Sequence, residues 1–340
     1  MPSLVRHIAP VPPAAATGLV AEVYAQVEAE FSSIGPAVLM TSPAPELMAA
    51  GWSLMREAQL AGDVPVLDKA LVALGVAQAN ELDYDVRAFL AILRLLGEHE
   101  LADAAGRGGP PADPRLAALL EWARATATRP VAAPFPAGQA AEHVGTAVFG
   151  HFVNRMAAAM LPAGLTPGTM DAADEPAFDG APVLRGMRER LRPGDTLPLL
   201  KGLPTGQEPS WAAGHPVGAA YATLSAVAAQ GAGLLAPAAA TAVTEVVAAC
   251  RGRCRPRGSW LEQALDGLSE GERAGALVAV LAALAPRDLT DEDVAAWRAT
   301  DRRFSDHCTV YLLAFGAMAA AGHIADDTAA ALRGGRTQEV

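Results

Sequence analysis

The chain has 340 residues, 51% of them hydrophobic and 19% charged, with 32 glycines, 26 prolines and a formal charge of −11 at neutral pH. That length leaves room for two domains or one double-sized one, and the acidic balance argues against nucleic acid or an anionic membrane surface as a partner. The three cysteines, Cys250, Cys254 and Cys308, do not make a disulfide framework for a chain this long, so a reducing, cytoplasmic setting is expected.

Residues 1–17 read as a Pro-rich lead-in without the charged start and apolar run of a signal peptide. From Gly18 to Phe31 the apolar residues Leu19, Val23, Val27 and Phe31 recur at helical spacing. A second helix is expected from Ser42 to about Ala61, ended by Gly62-Asp63-Val64-Pro65. A core helix, Val66 to Ala79, a partner helix, Asp85 to Gly97, and a short helix, His99 to Ala105, follow. Gly106 to Pro114 is a surface loop, after which Arg115 to Thr126 and Gln139 to Leu161 form helices separated by a Pro-rich turn.

Residues 166–207, rich in Pro, Gly and Asp and carrying a short basic helix at Val183 to Arg192, form the expected linker. Beyond it the helix order of the first half returns: SWAAGHPVGAAYATLSAVAAQGAGLL from Ser210 to Leu235, then Pro237 to Arg251, Ser259 to Leu268, Glu270 to Leu284, LTDEDVAAWRATD from Leu289 to Asp301, and a last helix from Asp306 to Ile324. The chain is therefore expected to be an all-α helical bundle of two tandem units, residues 1–165 and 208–340, the second a degenerate copy of the first. Apolar runs such as Leu277 to Leu284 are far too short to cross a membrane, so no span is expected.

The stretch from Lys69 to Phe89, KALVALGVAQANELDYDVRAF, preceded by Glu46-Leu47, Trp52, Arg56 and Asp68, resembles the core helix pair of the alkylhydroperoxidase D and carboxymuconolactone decarboxylase superfamily. The later string GTAVFGHFVNRM resembles the helix that follows the core in long members. In the redox members a Lys-Glu opens the core helix, which ends at Ala-Asn, one residue, Cys-x-x-Cys and a His one turn later. Placed on this chain, the Glu falls on Ala70, the two Cys on Leu82 and Asp85, and the His on Phe89. A dithiol cycle needs a thiolate nucleophile and a second thiol in disulfide reach, and neither Leu82 nor Asp85 supplies one.

The resemblance implies a mostly apolar cavity between helices, a symmetric homo-oligomer and, on its decarboxylase side, proton-transfer chemistry on small acids without metal or cofactor. A cofactor-free lyase, isomerase or cyclase acting on a small hydrophobic or acidic metabolite follows as an expectation. Asp85 and Asp83 are the candidate acid or base, with Tyr84 as hydrogen-bond donor and His151 as proton shuttle. Arg155 is the candidate anion clamp, and Asn154, Leu82, Phe89 and His143 are candidate binding residues. Two other readings stand beside this one. Asp83 and Asp85 also suit the N-terminus of a helix, where its dipole favours negative charge. His151, Asn154 and Arg155, on one helical face with His143 bordering it, also suit pairing with a neighbouring helix or subunit. A silent family member that only binds a ligand or partner is the alternative function.

A third function, a peroxidase or other thiol activity, would run from Cys250 and Cys254 in CRGRCRPRG, where Arg251, Arg253, Arg255 and Arg257 are cationic neighbours that would lower a thiol pKa. The C-x3-C spacing and the lack of a following His argue against it, and two Cys do not complete a zinc site, so no metal is expected. His215 reads as a helix-start residue and His323 as a cation at a helix C-terminus. The chain has no Gly-x-Ser-x-Gly elbow and no HExxH, and GRGG at 106–109 lacks the strand and helix of a phosphate loop.

Overall fold

A computed structural model of the chain describes residues 5–31, 34–165, 189 and 191–336. The fold is all-α, 68% helical, and among the described residues β pairing is limited to one isolated bridge between Ala61 and Leu191. The first half holds α1 (Gly18–Phe31), α2 (Pro36–Leu39), α3 (Pro45–Met55), α4 (Val66–Ala79), α5 (Asp83–Leu95), α6 (His99–Gly106), α7 (Pro114–Ala125) and α8 (Ala140–Met160). The second holds α9 (Pro216–Ala229), α10 (Pro237–Ala249), α11 (Ser259–Ala264), α12 (Glu270–Leu284), α13 (Asp291–Ala299) and α14 (Asp306–Arg336).

Local chemistry explains most boundaries. Proline stands in the first turn of α2, α3, α7, α9 and α10, where its missing N–H costs nothing. Asp113 caps α7 by accepting from the amides of Arg115 and Leu116, and His215 caps α9 by accepting from Val217 N. Ser269 with Glu272, and Thr290 with Asp293, form capping boxes at α12 and α13.

Two sequence expectations are corrected here. The last helix runs past Ile324 to Arg336, because the following stretch is alanine-rich and proline-free and Asp327 is held by Arg251 and Arg253. His323 thus lies inside a helix, not at its end. The longer helix is also long and apolar enough, over Asp306–Gly334, to cross a membrane, although 72% of its most apolar window is buried inside the protein. The helix foreseen at Val183 to Arg192 lies almost wholly outside the described residues.

Helix α4 is buried along nearly its whole length, enclosed by α5, α7 and α8. The halves are not separate bodies: α3 packs against α9, α8 against α14, and one hydrophobic core runs through both. The described end of the expected linker is likewise built in. Its main chain at Leu191 and Arg192 accepts from Gly62 N at 3.5 Å and from Arg56 Nη1 at 3.2 Å. The fully buried Glu57 accepts from Gly194 N at 2.6 Å and from the Thr196 hydroxyl at 2.7 Å. A carboxylate that satisfies several donors is an anchor, not a tether point.

Helices α12 and α14 pack closely at Gly316, where a Cβ would stand 2.1 Å from the carbonyl oxygen of Ala279. Backbone cannot yield there as a flexible side chain would. Gly316→Ala is expected to lower stability by about 1–3 kcal/mol or more, read as a fall in the urea midpoint. An unchanged midpoint would show that the two helices can separate without cost.

Candidate functional site

Helix α4 ends in a turn that sets up everything after it. Asn80 keeps right-handed geometry, Glu81 takes φ 54°, and the amide of Leu82 returns to Ala77 O at 3.0 Å. Leu82 then serves as N-cap of α5, so the chain doubles back at once and lays Asp85 and Phe89 beside α8. Upstream, α3 runs into a π-helical turn, Arg56–Leu60, whose wider winding brings Gln59 to the same place.

These elements enclose a cavity of about 130 Å³. Its walls are Met40, Met48, Met55 and Trp52 from one side and Phe89, Phe149 and Phe152 from the other, with Thr41, Gln59, Asp85 and Asn154 as polar side chains. A dry apolar cavity of this size holds a benzene-sized molecule. Asp85 is the single titratable group among the lining residues. Burial pushes its carboxyl group up to about 7, against the smaller opposing effect of the Asn154 hydrogen bond.

The polar residues behind Asp85 form one oriented chain. Asn154 Nδ2 donates to Asp85 Oδ2 at 2.5 Å, and Asn154 Oδ1 accepts from Asn80 Nδ2 at 3.0 Å. The Thr126 hydroxyl donates to Ala123 O at 2.6 Å, so toward His151 Nε2, 2.9 Å away, it can only accept. His151 therefore carries its proton on Nε2, leaving Nδ1 to accept from Asn80 Nδ2 at 3.2 Å. Burial and the neighbouring Arg155 hold the His151 imidazole well below its ordinary pKa, so it is neutral near pH 7.

Of the nine residues singled out from the sequence, Asp85, Asn154 and Phe89 line this cavity and the other six do not. Asp83 is exposed in the first turn of α5, two residues and about 200° from Asp85. Tyr84 is half-buried elsewhere, its phenol pushed above the usual tyrosine range by burial. Leu82 is spent on the turn. His143 shares the helix of His151 but lies about 12 Å along its axis. It stacks on Phe135 with ring centroids 4.4 Å apart, its pKa pushed down to about 4 by burial.

His151 is fully buried behind the two asparagines, so a shuttle in contact with a bound molecule is corrected to a residue that holds Asn80. Arg155, one residue past Asn154, is turned away to the second half of the chain. It cannot clamp an anion in the Asp85 cavity. Sequence reasoning passed over Asn80, Thr126 and Gln59. Asn80 stood in the Ala-Asn motif, whereas nothing in the local sequence marked the other two.

Over 337 residues the chain is 35% identical to alkyl hydroperoxide reductase Rv2159c of Mycobacterium tuberculosis, covering 97% of this chain and 96% of that protein. The chain belongs to the alkylhydroperoxidase D-like family. No family model matches it, and no solved structure does. In this alkylhydroperoxidase D-like chain α4 and α5 contain no cysteine; Cys250, Cys254 and Cys308 all belong to the second half. Among the described residues no group of three or more His, Cys, Asp and Glu side chains is placed to hold a metal ion.

Proposed function

We propose that the α3–α5–α8 cavity performs proton transfer on a small, largely apolar carbonyl compound or acid, with Asp85 as the base and then the acid. One observation carries this reading: the single ionisable group in an apolar cavity has its pKa brought to about 7, where a carboxylate both accepts and returns a proton efficiently. Asp85 Oδ2 is committed to Asn154, leaving Oδ1 for the substrate. A proton leaving a carbon next to a carbonyl passes to Oδ1, and the Gln59 amide, in the same wall, donates to the developing enolate oxygen. Return of the proton at another carbon is isomerisation; alternatively the enolate electrons form a C=C bond as the bond to a β-substituent breaks, and the departing group takes the proton from Asp85, a lyase reaction. The residues present supply both halves of this chemistry without a cofactor.

The relative's name speaks of alkyl hydroperoxide reduction. Carried to this cavity that activity would need a thiol in the wall, and the wall has none. Under the same proposal the chain is two fused helical units. Asn80-Glu81-Leu82 after α4 and Cys250-Arg251-Gly252 after α10 form the same turn, with left-handed Glu81 and Arg251 and matching hydrogen bonds. The contacts of α3 with α9 and of α8 with α14 then join equivalent helices, as a dimer of single units would.

The test is deuterium uptake in D2O by a panel of benzene-sized enolisable ketones and acids, followed by mass spectrometry. The wild-type chain is expected to label at least one, and Asp85→Asn to slow that labelling by on the order of 10²–10⁴. Equal rates in the two proteins would remove Asp85 from the chemistry.

A further inference from the structure

We propose that a second cavity, between the two halves of the chain, binds a small oxyanion, a carboxylate or a phosphate. The cavity measures about 370 Å³ and lies on the far side of Asn80 and Asn154 from Asp85. Three arginines reach it: Arg155 from α8, Arg255 from the loop after α10, and Arg287 from the turn after α12.

Arg155 is the central observation. It is 2% exposed, and its guanidinium donates to Ala283 O at 2.8 Å, His151 O at 2.9 Å and Gly252 O at 2.7 Å. Those acceptors are neutral. Among the described residues no carboxylate stands within 4 Å of it, and its Nη2 also donates to Cys254 Sγ at 3.8 Å. A cation taken out of water without a counter-ion is costly, and the fold keeps this one facing a cavity that an anion can enter.

The rim repeats the pattern. The Arg255 guanidinium lies 4.4 Å above the Trp260 ring, and no carboxylate pairs with it among the described residues. Arg287 donates to Asn80 O at 2.7 Å and pairs with Glu81 at 2.9 Å. The other lining acid, Asp288, already accepts from Arg257 N at 2.8 Å. Three arginines thus face two carboxylates, an excess of one positive charge, and among the described residues Arg155 and Arg255 are in no ion pair; their planar groups suit an oxyanion. The site is separate from Asp85 and does not depend on proton transfer there.

Thermal unfolding and calorimetric titration of the full chain with sodium phosphate and with sodium succinate, against sodium chloride at equal ionic strength, test the proposal. Phosphate, succinate or both are expected to raise the midpoint where chloride does not, and the active salt names the anion class. Arg255→Ala and Arg287→Ala, on side chains at the rim, are each expected to weaken binding about tenfold or more, while Asp85→Asn leaves it unchanged. Alkylation of Cys254 by iodoacetamide should slow when the anion is bound, with Cys308 as the unaffected internal standard. Shifts matched by chloride, or binding indifferent to both arginine variants, would overturn the site.

Discussion

Asp85→Asn is expected to be more stable than the wild-type chain at about pH 8, with the advantage shrinking by about 3 kcal/mol on acidification to about pH 5. The sign follows from the raised pKa. In the folded chain Asp85 releases its proton near 7, in the unfolded chain near 3.8. Between those values the folded state binds more protons, so wild-type stability falls as pH rises and is fully lowered above about 7. Asparagine keeps the hydrogen bond from Asn154 Nδ2 and carries no charge to bury.

The histidines act the other way. His143 is pushed down to about 4, and His151 is also lowered, so each contributes stability that grows as pH rises toward 6.5. Both are present in the variant, and subtracting the two pH profiles cancels them. The measurement is urea unfolding across the range. A difference that stays flat would mean the Asp85 carboxyl ionises as in water, and the proton-transfer reading would fail with it.

Glu142→Gln is expected to destabilise the chain by about 3–5 kcal/mol. Glu142 is 5% exposed and forms an ion pair with Lys69, which is 2% exposed. It also accepts from the amides of Asp63 at 3.0 Å and Val64 at 3.2 Å, closing the turn that aims α4. Among the described residues, neutralising it leaves the Lys69 ammonium with Ala61 O as its remaining hydrogen-bond partner, at 2.5 Å. Burial already lowers the pKa of Lys69, and the variant loses the pairing that opposes it.

The lost stability should therefore return in part as pH rises, because the unfolded chain then gives up the proton that the folded chain holds poorly. The double variant Lys69→Met with Glu142→Gln should be more stable than Glu142→Gln alone, since neither position then leaves an unpaired buried charge. Chemical denaturation of the two variants and wild type at two pH values reads both effects. A double variant no more stable than Glu142→Gln alone would show that the unpaired Lys69 ammonium costs nothing.

The helices and most of their ends were legible in the chain itself, since apolar spacing, proline in first turns and caps such as Asp113 and Ser269 act within a few residues. The α4–α5 pair was legible for the same reason, and with it Asp85 as the residue worth watching. Where α14 stops was not, because its last turns depend on Asp327 meeting Arg251 and Arg253 across the fold. The partition of the candidate residues was decided by tertiary structure alone. Asp83 and Asp85 are the same residue type, and Asn154 and Arg155 are adjacent polar residues, yet about 200° or 100° of helix rotation sends one toward the cavity and its neighbour away. Whether a carboxylate works near pH 7 is likewise set by what surrounds it, and the methionines and aromatic rings around Asp85 come from segments spread between residues 37 and 154.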